Sequence, residues 1–143
     1  MSGEANKALV RRFYAEAVDQ GNLALIDTLF AADYAFYPSA GSQPINRERF
    51  KQFLDLFRTA FAFHHVIEDQ VAEGEKVATR WTVRGTHQGE FQGITATGQR
   101  LAYTGITIFH IADGKIVQGW TSFDELGMLR QLGVRPELAR PGD

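Results

Sequence analysis

The sequence predicts an α+β fold in which helices pack on one face of a curved antiparallel sheet. Three observations predict it: segments with apolar residues at three- and four-residue spacing dominate the N-terminal part, long alternating segments joined by short turns dominate the rest, and 11 Phe among 44% hydrophobic residues supply a large core. A sheet closed at one end by helices leaves a concave cavity at the other end, where small-molecule sites usually lie.

The first part of the chain predicts two helices and a short strand. Residues 5–20 form an amphipathic helix that ends at Gly21-Asn22, and a shorter helix follows at 23–31. Residues 33–37 alternate weakly and stop at Pro38, which is typical of a short strand followed by a turn-rich segment.

The remaining elements are one helix, four long strands and a closing helix. Asn46 is a candidate N-cap, and the Phe residues that follow it give a one-sided helix over 47–62. The predicted strands and the closing helix cover 66–72, 76–86, 100–111, 115–124 and 126–132. We expect a single domain over residues 1–134 and a polar tail over 135–143.

The composition excludes several classes of function. A net charge of −2 with scattered Lys and Arg gives no surface for nucleic acid, and the absence of Cys excludes disulfides and thiolate metal sites. The segment 1–7 lacks the apolar run of a signal peptide, and no stretch approaches the ~20 apolar residues that span a membrane. We therefore expect a cytoplasmic protein that binds neither nucleic acid nor membrane.

The last hairpin fixes which side chains share a face. Ala112-Asp113-Gly114 is typical of a three-residue loop, which would set Ile111 opposite Lys115 and Ile106 opposite Trp120. A two-residue Asp-Gly loop would shift this register by one residue. On the three-residue reading, one face carries the aliphatic and polar residues that we interpret as the cavity wall: Thr104, Ile106, Ile108, His110, Gln118, Trp120, Ser122 and Asp124.

Asp124 is the acidic residue of this face, and two roles are compatible with its position. Beside Trp120 in an apolar pocket, a carboxylate acquires a raised pKa and serves in proton transfer. At the start of the closing helix, the same carboxylate serves as an N-cap, which lowers its pKa instead.

Several separate motifs resemble one known family. The segments 84–89 (RGTHQG), Gly93 and Thr97-Gly98 resemble the "GTHxG…G…TG" loop of SnoaL-like polyketide cyclases. The segments 68–78 and 113–133, the latter with Trp120-x-x-x-Asp124, resemble two further signatures of that family. The likeness covers most of residues 8–133 and is specific as a set.

This resemblance implies a nuclear-transport-factor-two-like fold, a cone of bent antiparallel sheet with helices enclosing a pocket. It also implies an intramolecular aldol condensation that closes a ring in an aromatic polyketide ester, without metal or other cofactor. Asp124 matches the family's acid/base aspartate, and His110 is the candidate for its pocket histidine. We therefore expect Asp124 to act as the general base and His110 or Arg80 to stabilise the enolate. A hydrophobic small-molecule substrate and a homodimer formed through the open sheet face are further expectations from the fold family.

Some residues depart from relatives of this fold. Many relatives carry a Glu-His pair where this chain has Gln118-Gly119. Limonene-epoxide hydrolase, which shares the fold, uses an Arg-x-Asp pair and a second Asp where this chain has Arg80-x-Thr82 and Ser122, so its water-activating mechanism is disfavoured.

The remaining candidates each have a functional and a structural reading. Arg80 either stabilises an enolate or lies on a solvated face, and His110 either polarises a carbonyl or lies at the rim. His64 and His65 are adjacent in a strand and therefore point to opposite faces of the sheet, which makes metal binding by the pair improbable. His87 is expected to organise its glycine-rich loop. The expected substrate pocket comprises Trp120, Ser122, Ile106, Ile108, Thr82 and Tyr14.

Two functions other than cyclisation stay open. One is a non-catalytic domain that binds a small apolar ligand in the same pocket. The other is isomerase chemistry of the ketosteroid type, for which Tyr14 and Tyr103 are the candidate hydroxyl donors.

Overall fold

A computed structural model describes residues 2–39 and 41–134 of the chain. The expected polar tail over 135–143 lies outside the described residues, so the proposed domain limits stay a prediction. No helix in the described ranges is long and apolar enough to cross a membrane.

The N-terminal layer is helical, as predicted, but its longest helix changes type midway. Helix α1 (Gly3–Arg12) begins at the N-cap Ser2, whose side chain accepts a hydrogen bond from the Ala5 N–H at 3.1 Å. The same helix continues as a π-helix over Phe13–Asp19. This wider helical geometry is rare in proteins, but where it occurs it often lies at a functional site. A 3₁₀ turn (Leu23–Leu25) and the short helix α2 (Ile26–Leu29) complete the layer.

Helix α3 (Arg47–Ala60) confirms the prediction made from the Asn46 cap. The Asn46 side chain accepts a hydrogen bond from the Arg49 N–H at 2.9 Å and satisfies an otherwise free helix donor. Phe50 is buried, whereas Phe53 and Phe57 are only half-buried, because this side of α3 borders an opening into the protein interior.

The strands form one five-stranded sheet in the order β1-β5-β4-β3-β2. Their bounds are β1 (Phe30–Tyr37), β2 (Phe61–Glu73), β3 (Lys76–His87), β4 (Arg100–Ala112) and β5 (Lys115–Phe123), followed by helix α4 (Glu125–Gln131). Strands β2 to β5 form the predicted antiparallel meander. Strand β1, however, runs parallel to β5, which the long connection through the intervening elements permits.

The register predicted for the last hairpin is wrong. Ala112 pairs with Lys115 across a two-residue Asp113-Gly114 turn, and Ile111 pairs with Ile116. Both turn residues have positive φ, 51° and 76°, as a type I′ turn requires. The register shifts between His110 and Ile111, so that Ile108, rather than Ile106, lies opposite Trp120.

The sheet face interpreted as the cavity wall is the outer, open face. Ile106 and Ile108 remain 47% and 39% exposed, whereas their neighbours Thr107 and Phe109 are buried under the helices. The two apolar rows of β4 resemble each other, and only the position of the helices decides which row lies inside. Dimerisation through the outer face stays a prediction.

The core is a layer of aromatic rings between the inner sheet face and the helices. Phe13 contacts Phe30 and Phe109 edge-to-face, with ring centroids 5.0 and 5.5 Å apart, and lies 5.9 Å from Phe50. Glycines on the inner face make room for such rings: a side chain at Gly105 would overlap the Trp81 ring and lie 2.8 Å from Phe123 Cβ.

Gly105→Ala should therefore lower the free energy of unfolding by about 1–3 kcal/mol, because Trp81 must leave its packed position. Urea denaturation measures this change. Thr104→Ala, one residue away on the exposed face, is the matched control and should stay within about 0.5 kcal/mol of the parent protein. A G105A protein as stable as T104A would contradict the packing role of Gly105.

Candidate active site

The space enclosed between the inner sheet face, the π-helix and α3 is an interior cavity with an aromatic lining. Its empty volume is ≈ 550 Å³ including the open mouth, and the part in which the centre of a water molecule fits is ≈ 70 Å³. Sixteen residues line it: Phe13, Tyr14, Val18, Phe36, Phe50, Phe53, Leu54, Phe57, Phe63, His65, Trp81, Tyr103, Thr107, Phe109, Thr121 and Phe123. This composition suits an apolar ligand held by a few polar groups.

The principal ionisable group of this wall is His65, which is paired with Asp19. His65 Nδ1 lies 2.7 Å from Asp19 Oδ1, and the His65 backbone N–H donates to Asp19 Oδ2 at 2.9 Å. The two side chains are 8% and 19% exposed. One carboxylate thus fixes both the backbone and the ring of His65.

This pairing selects one form of the imidazole. Because the Asp19 carboxylate can only accept, Nδ1 carries the hydrogen and Nε2 of the neutral ring keeps a lone pair. The rings of Tyr14, Phe63 and Trp81 surround the imidazole at centroid distances of 5.1, 5.2 and 5.4 Å. The His65 imidazole is therefore held in one orientation on an apolar wall.

Arg58 of α3 holds the helix end that carries Asp19. Its guanidinium donates to the carbonyl oxygens of Val18 and Asp19, at 2.5 and 3.1 Å, and so satisfies carbonyls left free where the helix ends. Gly21, with φ of 80°, lies directly against this guanidinium, and a side chain there would collide with it. The conformation of the 19–21 turn and the position of the carboxylate are thus coupled.

Two phenols and two threonines supply the other polar groups of the cavity. Burial raises the pKa of Tyr14 well above its usual value, and the nearby Thr107 and Trp81 side chains offset part of that rise. Burial also raises the pKa of Tyr103. Trp81 Nε1 donates to Thr107 Oγ1 at 3.0 Å, and Thr107 contacts Thr121 Oγ1 at 3.0 Å. Both phenols remain neutral hydrogen-bond donors over a wide pH range.

Arg80 and Thr82 lie on the outer face, outside the cavity that they were predicted to line. The Arg80 guanidinium forms a two-point ion pair with the Asp69 carboxylate, at 3.1 Å for both contacts. Thr82 Oγ1 donates to Glu68 Oε1 at 2.9 Å. Residues on β3 alternate between faces, and Trp81, between these two, is the one that points inward.

His110, Ile106 and Ile108 also lie on the outer face. His110 Nε2 lies 3.0 Å from Glu75 Oε2, and its Nδ1 lies 3.4 Å from Gln118 Oε1. None of the three residues lines the interior cavity, so the structure does not bring them together with His65.

Trp120 and Ser122 border a separate depression at the end of β5. The Trp120 ring stacks on Tyr37, with centroids 5.7 Å apart and ring planes at 7°. Of the nine residues predicted for the site, Tyr14 alone lines the interior cavity.

Asp124 has the structural role that the sequence left open. It is the N-cap of α4, exposed to solvent, and its Oδ1 accepts a hydrogen bond from the Gly127 N–H at 2.9 Å. Asp124 does not line the cavity, because its side chain turns back onto the helix that follows.

The other histidines lie away from the cavity. His64 is exposed on the outer face, which confirms that the two adjacent histidines point in opposite directions. His87 is fully buried, and its Nδ1 accepts a hydrogen bond from the Thr97 N–H at 3.2 Å, so it anchors the loop after β3. Within residues 2–39 and 41–134, no group of three or more acidic, His or Cys side chains could hold a metal ion.

Sequence reasoning missed Asp19 and the role of His65. The alternation of β2 offered one signal, because Phe63, His65 and Ile67 share a face on which the flanking residues are apolar. A single polar residue in such a row marks a buried polar site. Its partner is 46 positions away in the chain and has no local signature.

Comparison with known proteins gives one family and many related structures. The family model for SnoaL-like polyketide cyclases matches residues 8–132. Wild-type IdmH from Streptomyces antibioticus, a candidate polyketide cyclase, is 32% identical with a TM-score of 0.80, covering 90% of this chain and 99% of its own. AclR from Streptomyces galilaeus, a candidate hydroxylase, is 29% identical with a TM-score of 0.86, covering 94% and 100%.

More distant structures share the fold. A candidate SnoaL-like polyketide cyclase from Jannaschia sp. CCS1 is 20% identical, with a TM-score of 0.86 over 94% of this chain and 95% of its own. These likenesses confirm the predicted α+β fold, a curled sheet with N-terminal helices. No curated protein sequence gives a significant match.

Removal of the Asp124 cap should cost stability. Asp124→Ala should lower the free energy of unfolding by about 1 kcal/mol, because the Gly127 N–H loses its acceptor, whereas Asp124→Asn should keep most of it. Thermal denaturation of the two variants measures the difference. Equal losses for both variants would show that the carboxylate has a role other than capping.

Proposed function

Since the chain belongs to the SnoaL-like polyketide cyclase family, we propose that it closes a ring in a polyketide-like carbonyl substrate by an intramolecular aldol reaction within the interior cavity. The His65–Asp19 pair is the acid/base group. The observation that carries the proposal is a histidine on an aromatic cavity wall whose Nδ1 is held 2.7 Å from a carboxylate.

The proposed reaction begins with removal of a proton from carbon. His65 Nε2 takes a proton from a methylene between two carbonyl groups, and the positive imidazole is stabilised by Asp19. The electron pair moves to the carbonyl oxygen of the resulting enolate. Tyr14 donates a hydrogen bond to this oxygen, which is the role that its raised pKa suits.

Ring closure returns the proton. The enolate carbon attacks a further carbonyl carbon of the same molecule, outside the β-dicarbonyl unit, so that a C–C bond forms, the C=O π bond breaks and the attacked oxygen becomes an alkoxide. The alkoxide takes the proton held on His65 Nε2, which restores the neutral imidazole. The reaction is redox-neutral, so it needs no external oxidant or reductant, and His65 and Asp19 return to their initial state.

The location of His65 favours this residue over Asp124 as the base. The substrate is expected to be apolar, and the interior cavity presents aromatic side chains around His65. Asp124 is exposed and already accepts the hydrogen bond from Gly127. An aromatic wall also holds the flexible chain in the folded shape that ring closure requires.

His65→Gln should lower kcat/KM by about 10²–10⁴-fold on a β-dicarbonyl ester that the parent protein cyclises, because the general base is lost. Asp19→Asn should cause a smaller loss, because an amide oxygen still accepts from Nδ1 but does not offset the imidazolium charge. Product absorbance measures both rates.

His64→Gln is the matched control, since His64 is the neighbouring histidine on the outer face, and its rate should equal that of the parent protein. Asp124→Asn should also retain activity. Full activity in H65Q, or loss in D124N at unchanged stability, would refute the assignment of His65 as the base. Oxygen uptake in proportion to product would instead indicate a hydroxylase, the activity for which AclR is a candidate.

Tyr14→Phe should lower kcat by about 10²-fold, because one preorganised donor to the enolate oxygen is lost. Tyr34→Phe is the control, because the Tyr34 ring is buried in the core and does not line the interior cavity. Since burial raises the pKa of Tyr14, the neutral donor persists to higher pH, and kcat should not fall as the pH approaches about 10, where free tyrosine ionises. The pH profile of kcat tests this: an alkaline loss present in the parent protein and absent in Y14F would contradict it.

A further inference from the structure

A second cavity lies next to the interior cavity, at the C-terminal ends of β1 and β5. This outer depression is formed by Tyr37, Pro38, Ser39, Trp120, Thr121, Ser122, Phe123 and Glu125. Its empty volume is ≈ 640 Å³ including space open to solvent, and the part in which the centre of a water molecule fits is ≈ 290 Å³. By the same measure the interior cavity offers ≈ 70 Å³, so the larger space lies outside.

The two cavities share part of their walls. Thr121 and Phe123 line both the interior cavity and the outer depression. Both residues belong to the end of β5, where the strand gives way to α4. The two spaces are therefore adjacent, with these two side chains forming the wall between them.

The lining of the outer depression differs chemically from the interior wall. It presents hydroxyl groups of Tyr37, Ser39 and Ser122, each able to donate or accept a hydrogen bond. Its charged group is the Glu125 carboxylate, which lies next to the exposed Asp124. Lys76 contacts the Trp120 ring at 5.8 Å but does not line the depression. The lining therefore suits a neutral oxygen-bearing group and repels an anion.

We propose that the outer depression is a second subsite for the neutral, ester- or hydroxyl-bearing end of the substrate whose ring-forming end occupies the interior cavity. The identity of the substrate rests on the proposed function. The subsite itself selects neutral esters over free carboxylic acids, because Glu125 and Asp124 disfavour a further negative charge.

The two tryptophans of the chain allow the cavities to be monitored separately, because Trp81 lines the interior cavity and Trp120 the outer depression. Trp81→Phe and Trp120→Phe each leave one fluorescent reporter. The probes are naphthalene, a naphthalene with a flexible chain ending in a methyl ester, and the corresponding free acid.

We expect naphthalene to change the Trp81 emission alone and the ester to change both emissions. The acid should bind about tenfold more weakly than the ester, a difference of about 1.4 kcal/mol. A response of Trp81 without any response of Trp120 to the ester would overturn the second subsite while leaving the proposed function intact. Equal affinity of acid and ester would overturn its selection for neutral groups.

A second measurement needs no tryptophan replacement. Ser122→Phe fills the outer depression, whereas Val71→Phe places the same ring at an exposed position of β2, the edge strand far from β5. By titration calorimetry, S122F should weaken ester binding about tenfold and leave naphthalene binding unchanged, and V71F should change neither. Unchanged ester binding in S122F would refute the subsite. Activity of His65 variants is a separate readout, so failure of the catalytic proposal is recognised independently.

Discussion

The packing of aromatic rings between the helices and the inner sheet face is the constraint on which the other features depend. Burial of these rings supplies the main driving force for the fold, and their stiffness leaves an unfilled space between them. Phe13 lies at the centre of this layer, in contact with rings from β1, β4 and α3. Glycines at 105 and 119 let rings approach the sheet backbone. The cavity is thus a consequence of how the core is built, and any polar group within it has to be paired.

Asp19 and His65 satisfy that requirement and also connect two layers of the protein. The carboxylate comes from the end of the N-terminal helix and the imidazole from β2, so their two contacts join helix to sheet. A buried pair of this kind costs desolvation free energy, which good geometry offsets only in part. This cost sets the pair apart from the exposed Arg80–Asp69 pair on the outer face, which contributes little to stability.

The sequence predicted the elements well because their signals are local. The Asn46 cap and the phenylalanine spacing defined α3, and period-two alternation located β2 to β5. Alternation identifies two faces of a strand but does not say which one the helices cover, and β4 carries apolar residues on both, such as Phe109 and Ile108. Most residues predicted for the site therefore lie on the face opposite the interior cavity. The pairing of Asp19 with His65 could not be predicted from sequence patterns, because it arises from tertiary packing alone.

The π-helix at Phe13–Asp19 has a consequence for how this protein can vary. Each residue of an α-helix turns the chain by about 100°, so a helix accommodates an extra residue by widening one turn or by rotating everything beyond it. Here the widened turn keeps Val10 and Phe13 against the core while Asp19 faces His65. A single-residue deletion within this segment would restore ordinary helical winding and carry the carboxylate around the helix, away from the imidazole. Chain length in this stretch is therefore as tightly constrained as residue identity.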